Sequence, residues 1–243
     1  MLKIVGKLEK EKPTILLLAG SLVSPEVFSQ VECPEGWQMA AVDYCLSDSP
    51  WDVDSLGQRL ANLVEKFSLF PVILAGYSAG GVVIMSAASK APMLFDGLLL
   101  SNTGPSSKGH GNPNFPQELL DKWGNEEFFT NFITVCFSRP VPPVLQAHML
   151  KYMNQVDKQA GYMISYSLRQ IDYREDLKQY RGEVRSEEHT SRTMAHVEMM
   201  KQSMPQAEVI LLNGGHTVMV EDKDGWQQAL NGLVKRVEAK AKR

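Results

Sequence analysis

The chain has 243 residues, of which 44% are hydrophobic and 22% are charged, and its formal net charge is −3. This length and composition allow a substantial core, and we predict a single α/β domain over residues 1–243. Charges of both signs are dispersed, so no basic face indicates binding to nucleic acid or to an anionic membrane, and we expect small-molecule partners.

The apolar run near the N-terminus and the cysteines indicate where in the cell the protein is expected and which cofactors it is expected to lack. The apolar run at residues 15–19 is far too short to span a bilayer, so we expect a cytoplasmic protein. Cys33, Cys45 and Cys136 are odd in number, widely spaced and without a Cys-x-x-Cys pair. This pattern argues against a disulfide framework and against a metal site, and it predicts buried thiols. No Gly-x-Gly-x-x-Gly follows the first predicted strand, so we expect no dinucleotide cofactor.

Alternating apolar strands and amphipathic helices occupy residues 14–101, a pattern typical of a parallel sheet with right-handed crossovers. The predicted helix at 54–67 has apolar residues at helical spacing. The predicted strands are 14–19, 38–44, 71–75 and 94–100.

The pattern changes after residue 101. Gly, Pro, Ser and Asn are abundant at 102–116, which predicts a loop. Several helical stretches rich in aromatic residues and methionine follow it, and we predict a helical cap over about 105–170. A strand is predicted again at 209–212, and a final helix at 224–241.

The sequence Gly76-Tyr77-Ser78-Ala79-Gly80 lies between an apolar strand and a predicted helix. Glycine two residues before and two after the serine leaves room for a very sharp turn, which would hold the Ser78 hydroxyl out above the sheet. We interpret this segment as a nucleophile elbow. The competing interpretation is an inert serine in a glycine-rich turn.

These features resemble those of the α/β-hydrolases over nearly the whole chain. The resemblance rests on the strand that ends at Gly20-Ser21, on the elbow, on the cap, and on Gly215-His216 after the last strand. It implies a mostly parallel sheet flanked by helices, with Ser78 as nucleophile and His216 as general base. It also implies an oxyanion hole formed by the backbone N–H groups of Ser21 and Ala79. Without the resemblance, His216 would be interpreted as a loop histidine rather than as a catalytic residue.

The acid that the resemblance implies has no clear match. In relatives it follows a buried strand between the cap and the histidine strand, but residues 176–189 contain few apolar side chains. We therefore predict that this strand is missing. Glu187 and Glu188 lie near the expected point, and Glu188 is our candidate for the acid of the catalytic triad. Two solvated surface glutamates are the alternative, and Asp172 and Asp176 are weaker candidates.

Residues 185–190, Arg-Ser-Glu-Glu-His-Thr, resemble the in-frame translation of a widely used sequencing adapter. This resemblance gives the hypothesis that the segment replaced the native strand during library preparation or assembly. Re-amplification of the source DNA tests it, and a product that encodes the same six residues would contradict it.

The function predicted from these residues is hydrolysis of a small ester or related acyl compound by a serine hydrolase. A serine nucleophile disfavours epoxide and haloalkane hydrolysis, which use a carboxylate, whereas thioester, lactone and carbon–carbon bond hydrolysis and perhydrolysis stay open. The alternative is a catalytically impaired protein that binds a hydrophobic small ligand, because loss of the acid lowers turnover by about 10⁴-fold in a serine protease.

Overall fold

The computed structural model describes residues 1–109, 111–188 and 194–242, with side chains except at 186–188 and 194–196. In these residues seven strands form one sheet in the order β1-β3-β2-β4-β5-β6-β7, and every neighbouring pair is parallel except β1 and β3. The strands are β1 Lys3–Val5, β2 Thr14–Leu18, β3 Gln38–Asp43, β4 Val72–Tyr77, β5 Gly97–Ser101, β6 Glu183–Glu188 and β7 Glu208–Leu211.

Helices pack against this sheet. Four of them lie between β5 and β6, while the helix Ala79–Lys90 packs against β4 and the helix Lys223–Ala241 packs against β5 and β6. The helices are α1 Val53–Phe67, α2 Ala79–Lys90, α3 Phe115–Asp121, α4 Glu126–Thr134, α5 Pro143–Met153, α6 Lys158–Ser167, α7 Met194–Ser203, α8 Val218–Glu221 and α9 Lys223–Ala241.

The central strands form where continuous apolar runs allow burial on both faces. Every residue of β2, β4 and β5 is buried. The first helix, α1, begins at the capping carboxylate of Asp52, which accepts a hydrogen bond from Ser55 N–H at 2.9 Å, and it ends at Ser68 in the left-handed conformation. The predicted bounds of these strands and of α1 and α9 are confirmed to within three residues.

The predicted absence of a strand before the histidine strand is wrong. Strand β6 pairs in parallel with both β5 and β7, and Val184 lies in the core. The polar residues of this strand are accommodated by ion pairs. Arg185 lies 3.0 Å from Glu208 on β7, and Glu183 lies 2.6 Å from Arg236 on α9. Paired charges therefore occupy positions where a parallel strand usually carries apolar side chains.

The three cysteines differ in exposure. Cys45 is buried, as predicted, and Cys136 is only half-buried, but the prediction is wrong for Cys33, which is exposed. Its Sγ lies 3.3 Å from the carbonyl oxygen of Trp37 in a loop rather than in the core. Burial raises the pKa of the Cys45 thiol to about 12, so this thiol stays protonated at neutral pH.

None of the helices in the described part of the chain is long and apolar enough to cross a bilayer. The described residues also contain no group of three or more His, Cys, Asp or Glu side chains that could hold a metal ion.

Candidate active site

Ser78 lies on a tight turn between β4 and α2. Its backbone has φ 53° and ψ −126°, a conformation that residues other than glycine rarely adopt. Two hydrogen bonds hold the turn. Ser78 N–H donates to the carbonyl oxygen of Ser101 at 3.0 Å, and the hydroxyl of Thr103 donates to the carbonyl oxygen of Ser78 at 2.8 Å. The end of β5 and the loop after it therefore fix the strained serine.

Glycines let strand β2 approach this turn closely. A Cβ at Gly76 would lie 2.8 Å from the carbonyl oxygen of Leu18, and a Cβ at Gly80 would overlap with the carbonyl oxygens of both Leu18 and Ala19. The obstacles at Gly80 are backbone atoms, which cannot move without shifting β2, and at Gly76 the side chain of Ile84 lies as near as the backbone. This contact explains why the turn needs glycine at both positions.

Gly80→Ala is expected to lower the free energy of unfolding by about 3 kcal/mol or more, because the added methyl group must push α2 away from β2. Denaturant titration followed by circular dichroism measures this change. The matched control is Ser89→Ala near the end of the same helix, which removes one hydroxyl and adds no atom to the contact between α2 and β2. The lost hydrogen bond lies within the helix and alanine is the better helix former, so a loss of at most about 1 kcal/mol is expected. Equal losses in the two variants would contradict the packing argument.

His216 lies beside the turn. Its ring is edge-on to the ring of Tyr77, the residue before Ser78, with the two ring centroids 5.8 Å apart. The side-chain amide of Asn102, which is fully buried, donates to the carbonyl oxygen of His216 at 3.0 Å and approaches that of Gly215 at 3.4 Å. The loop after β5 therefore holds both the Ser78 turn and the His216 loop.

Glu221 connects the His216 loop to the cap. Its carboxylate accepts hydrogen bonds from Gly215 N–H at 2.5 Å, from Ser138 N–H and Oγ at 3.0 and 2.7 Å, and from Arg139 N–H at 3.1 Å. Since four donors occupy this carboxylate, we interpret Glu221 as an organiser of the loop. Sequence reasoning missed it, and its only signal is an acidic residue in the short helix that follows His216.

Ala79 and Ser21 differ in how they relate to Ser78. Ala79 begins α2, so its N–H has no acceptor within the helix, and none of the described residues accepts a hydrogen bond from it. Ser21 is half-buried in the turn after β2, where the next residue, Leu22, has φ 60°. Ala79 lines a cavity with Ser78, whereas the described walls of that cavity include neither Ser21 nor His216.

That cavity has a volume of about 90 Å³. Its walls come from the Ser78 turn, from the loop after β5, and from the chain that leaves α6. The cavity is small and partly open to solvent. Its walls outside the Ser78 turn include Val82, Ser106, Ser107, Leu168, Arg169 and Ile171.

The candidate acids occupy different places. The backbone of Glu188 ends β6 and pairs with Leu211, the last residue of β7, so it lies at the edge of the sheet from which the His216 loop starts. The side chains of Glu187 and Glu188 fall outside the described residues. Asp172 is exposed and paired with Arg174 at 2.5 Å, and hydrogen bonding to Arg174 lowers the pKa of Asp172. Asp176 is also exposed.

Comparisons with known proteins address the fold. No family model matches this chain, and no curated protein sequence matches it. Solved structures do resemble it. An esterase from Exiguobacterium antarcticum superposes with a TM-score of 0.83 at 17% identity, covering 96% of this chain and 94% of that chain. The chain has the α/β-hydrolase fold. The enol-lactonase from Burkholderia xenovorans LB400 superposes with a TM-score of 0.81 at 16% identity, covering 97% of this chain and 96% of that chain. The bromoperoxidase from Bacillus anthracis superposes with a TM-score of 0.81 at 16% identity, covering 96% of this chain and 94% of that chain.

Within the α/β-hydrolase fold, the long superposition agrees with the predicted fold class. It covers 96% and 97% of this chain, so it extends over the sheet and most of the helices between β5 and β6. Identities below 20% leave the chemistry to be argued from the residues of this chain.

Proposed function

We propose that this chain is a serine hydrolase that acts on a small ester or related acyl substrate through a covalent acyl-enzyme. The observation that carries the proposal is Ser78, held at φ 53° between a buried strand and a helix, where it lines a cavity. Strained backbone conformations of this kind cluster at active sites. This geometry supports the interpretation of the turn as a nucleophile elbow. The α/β-hydrolase fold and its superposition on an esterase and an enol-lactonase add support.

In the proposed mechanism, His216 takes the proton of the Ser78 hydroxyl while Oγ attacks the substrate carbonyl carbon. The carbonyl oxygen becomes an oxyanion, which accepts hydrogen bonds from the backbone N–H groups of Ala79 and Ser21. The tetrahedral intermediate then collapses, the bond to the leaving group breaks, and His216 returns its proton to that group. Water activated by His216 attacks the acyl-enzyme in the same way and releases the acid and free Ser78.

Glu188 is the proposed acid of the triad. The position of its backbone supports this role, because β6 and β7 end side by side and His216 follows β7 by five residues. A carboxylate there would accept the second ring N–H of His216. It would thereby fix the tautomer of the imidazole and stabilise the imidazolium.

A fluorophosphonate probe is expected to label the native protein at Ser78, because the probe phosphonylates only an activated serine. Labelling is read by intact mass and by peptide mapping. Ser78→Ala should not be labelled. Ser89→Ala is the matched control, since its hydroxyl lies in the same helix and donates to the carbonyl oxygen of Ser86 at 2.8 Å, and it should be labelled as well as wild type.

A native protein that the probe does not modify, with a profile identical to that of Ser78→Ala, would overturn the hydrolase proposal. It would favour the alternative, a protein with this fold that binds a hydrophobic ligand without turning it over. Labelling that persists in Ser78→Ala would place the nucleophile elsewhere.

A further inference from the structure

Arg169 lines the same cavity as Ser78, from the cap side. It lies two residues after the end of α6, and hydrogen bonds hold both its backbone and its side chain. Its carbonyl oxygen accepts a hydrogen bond from the hydroxyl of Ser107 at 2.9 Å. Its side-chain Nε donates to the carbonyl oxygen of Asn112 at 3.1 Å, and the guanidinium lies 5.7 Å from the centre of the Phe115 ring. The guanidinium is therefore held in one place rather than free at the surface.

The charge of Arg169 is not neutralised within the described part of the chain. No described carboxylate forms an ion pair with it, and no described residue accepts a hydrogen bond from its two terminal nitrogens. Arg174, Arg185 and Arg236 all differ, since each is paired with a carboxylate at 3.0 Å or less. Burial lowers the pKa of Arg169, and no charge in the described part of the chain offsets this effect. A half-buried cation with unused donors is suited to receive an anion.

We propose that Arg169 binds a carboxylate of the substrate, so that the preferred substrates are short acyl esters, thioesters or lactones that carry a carboxylate. This inference rests on the proposed function, because it names the substrate class of the same site. A planar guanidinium matches a carboxylate through two parallel hydrogen bonds. Val82 and Ile171 supply apolar walls for the carbon chain between the carboxylate and the reacting carbonyl group.

The cavity is small, about 90 Å³, which favours a short chain between the reacting carbonyl group and the carboxylate, and a chain of two carbons is chosen for the test. Monomethyl succinate has this length. Methyl levulinate is its matched neutral analogue, because a methyl ketone replaces the carboxylate at nearly the same size.

Binding is tested first, in the Ser78→Ala background, where neither ester is turned over. Isothermal titration calorimetry is expected to show monomethyl succinate binding about 10- to 100-fold tighter than methyl levulinate, as charge-assisted hydrogen bonds predict. Adding Arg169→Met should remove this preference, and Arg169→Lys, which keeps the charge without the planar fork, should retain part of it. Arg174→Met is the matched control, because Arg174 already pairs with Asp172, and it should keep the full preference.

Equal binding of the two esters, or a preference that persists in Arg169→Met, would overturn the inference. Circular dichroism of each variant shows whether it is folded. If Arg169→Met does not fold, the binding preference of Arg169→Lys tests the inference instead.

Turnover separates this inference from the proposed function. If Ser78 is not labelled by fluorophosphonate but the binding preference depends on Arg169, Arg169 still binds a carboxylate, that of a ligand rather than of a substrate, and the hydrolase proposal fails. If Ser78 is labelled and wild type hydrolyses both esters with equal kcat/KM, the hydrolase proposal stands and the inference fails.

Discussion

Replacing Ser78 and His216 together by alanine is expected to lower kcat no further than replacing either residue alone. The two side chains act on one proton, so the loss of one makes the other useless. In a serine protease each single loss lowers kcat on the order of 10⁶-fold, and the double loss costs no more. Turnover of a short ester by wild type, the two single variants and the double variant measures this.

The residual rate should come from binding and from the backbone donors at Ala79 and Ser21, which none of these substitutions removes. Ser89→Ala, at the far end of the same helix, is the control and should retain the wild-type rate. Multiplicative losses, with the double variant far below each single variant, would show that Ser78 and His216 do not work in one mechanism.

The sequence predicts the central strands of this fold well, because a short continuous apolar run is typical of a parallel strand that is buried on both faces. Strands β2, β4 and β5 are buried on both faces, and their sequences contain no charged side chain. The edge strand β1 was missed, since three residues paired on one side leave no periodic pattern to detect. Such a strand is visible only once its partner, β3, is in place.

Strand β6 could not be predicted from its composition, because its charged residues pair with residues on other strands and helices. Glu183 and Arg185 look like surface residues, yet the first pairs with Arg236 and the second with Glu208. Both partners are more than 20 positions away along the chain. No local pattern contains that information, so a strand held by backbone pairing and distant ion pairs appears as a loop in the sequence.

The same limit applies to the site. Ser78 and His216 could be proposed as site residues because glycines and an apolar strand stand beside each of them in the sequence, as the resemblance to α/β-hydrolases implies. Asn102, Glu221 and Arg169 act through loops that meet only in the folded chain, and no spacing in the sequence connects them to Ser78. Their assignment required the contacts with the His216 loop and with the cavity.

Glu188→Gln is expected to lower kcat by about 10⁴-fold, the effect of replacing the triad acid by its amide in a serine protease. The amide keeps the size of the side chain but presents a donor to the imidazole, which disfavours the productive tautomer. Steady-state kinetics with a short ester measures this loss. Labelling of Ser78 by fluorophosphonate should slow in parallel, because the probe depends on the same activation.

Glu187→Gln is the matched control, because it makes the same chemical change one residue earlier on β6. If Glu188 is the acid, Glu187→Gln should retain most of the wild-type rate, and a reversed pattern would assign the role to Glu187. If both variants turn over as fast as wild type, the two carboxylates are surface groups. Ser78 and His216 would then work without either of them. That outcome would agree with a foreign origin of residues 185–190, since a segment acquired from an adapter has no reason to supply a catalytic acid.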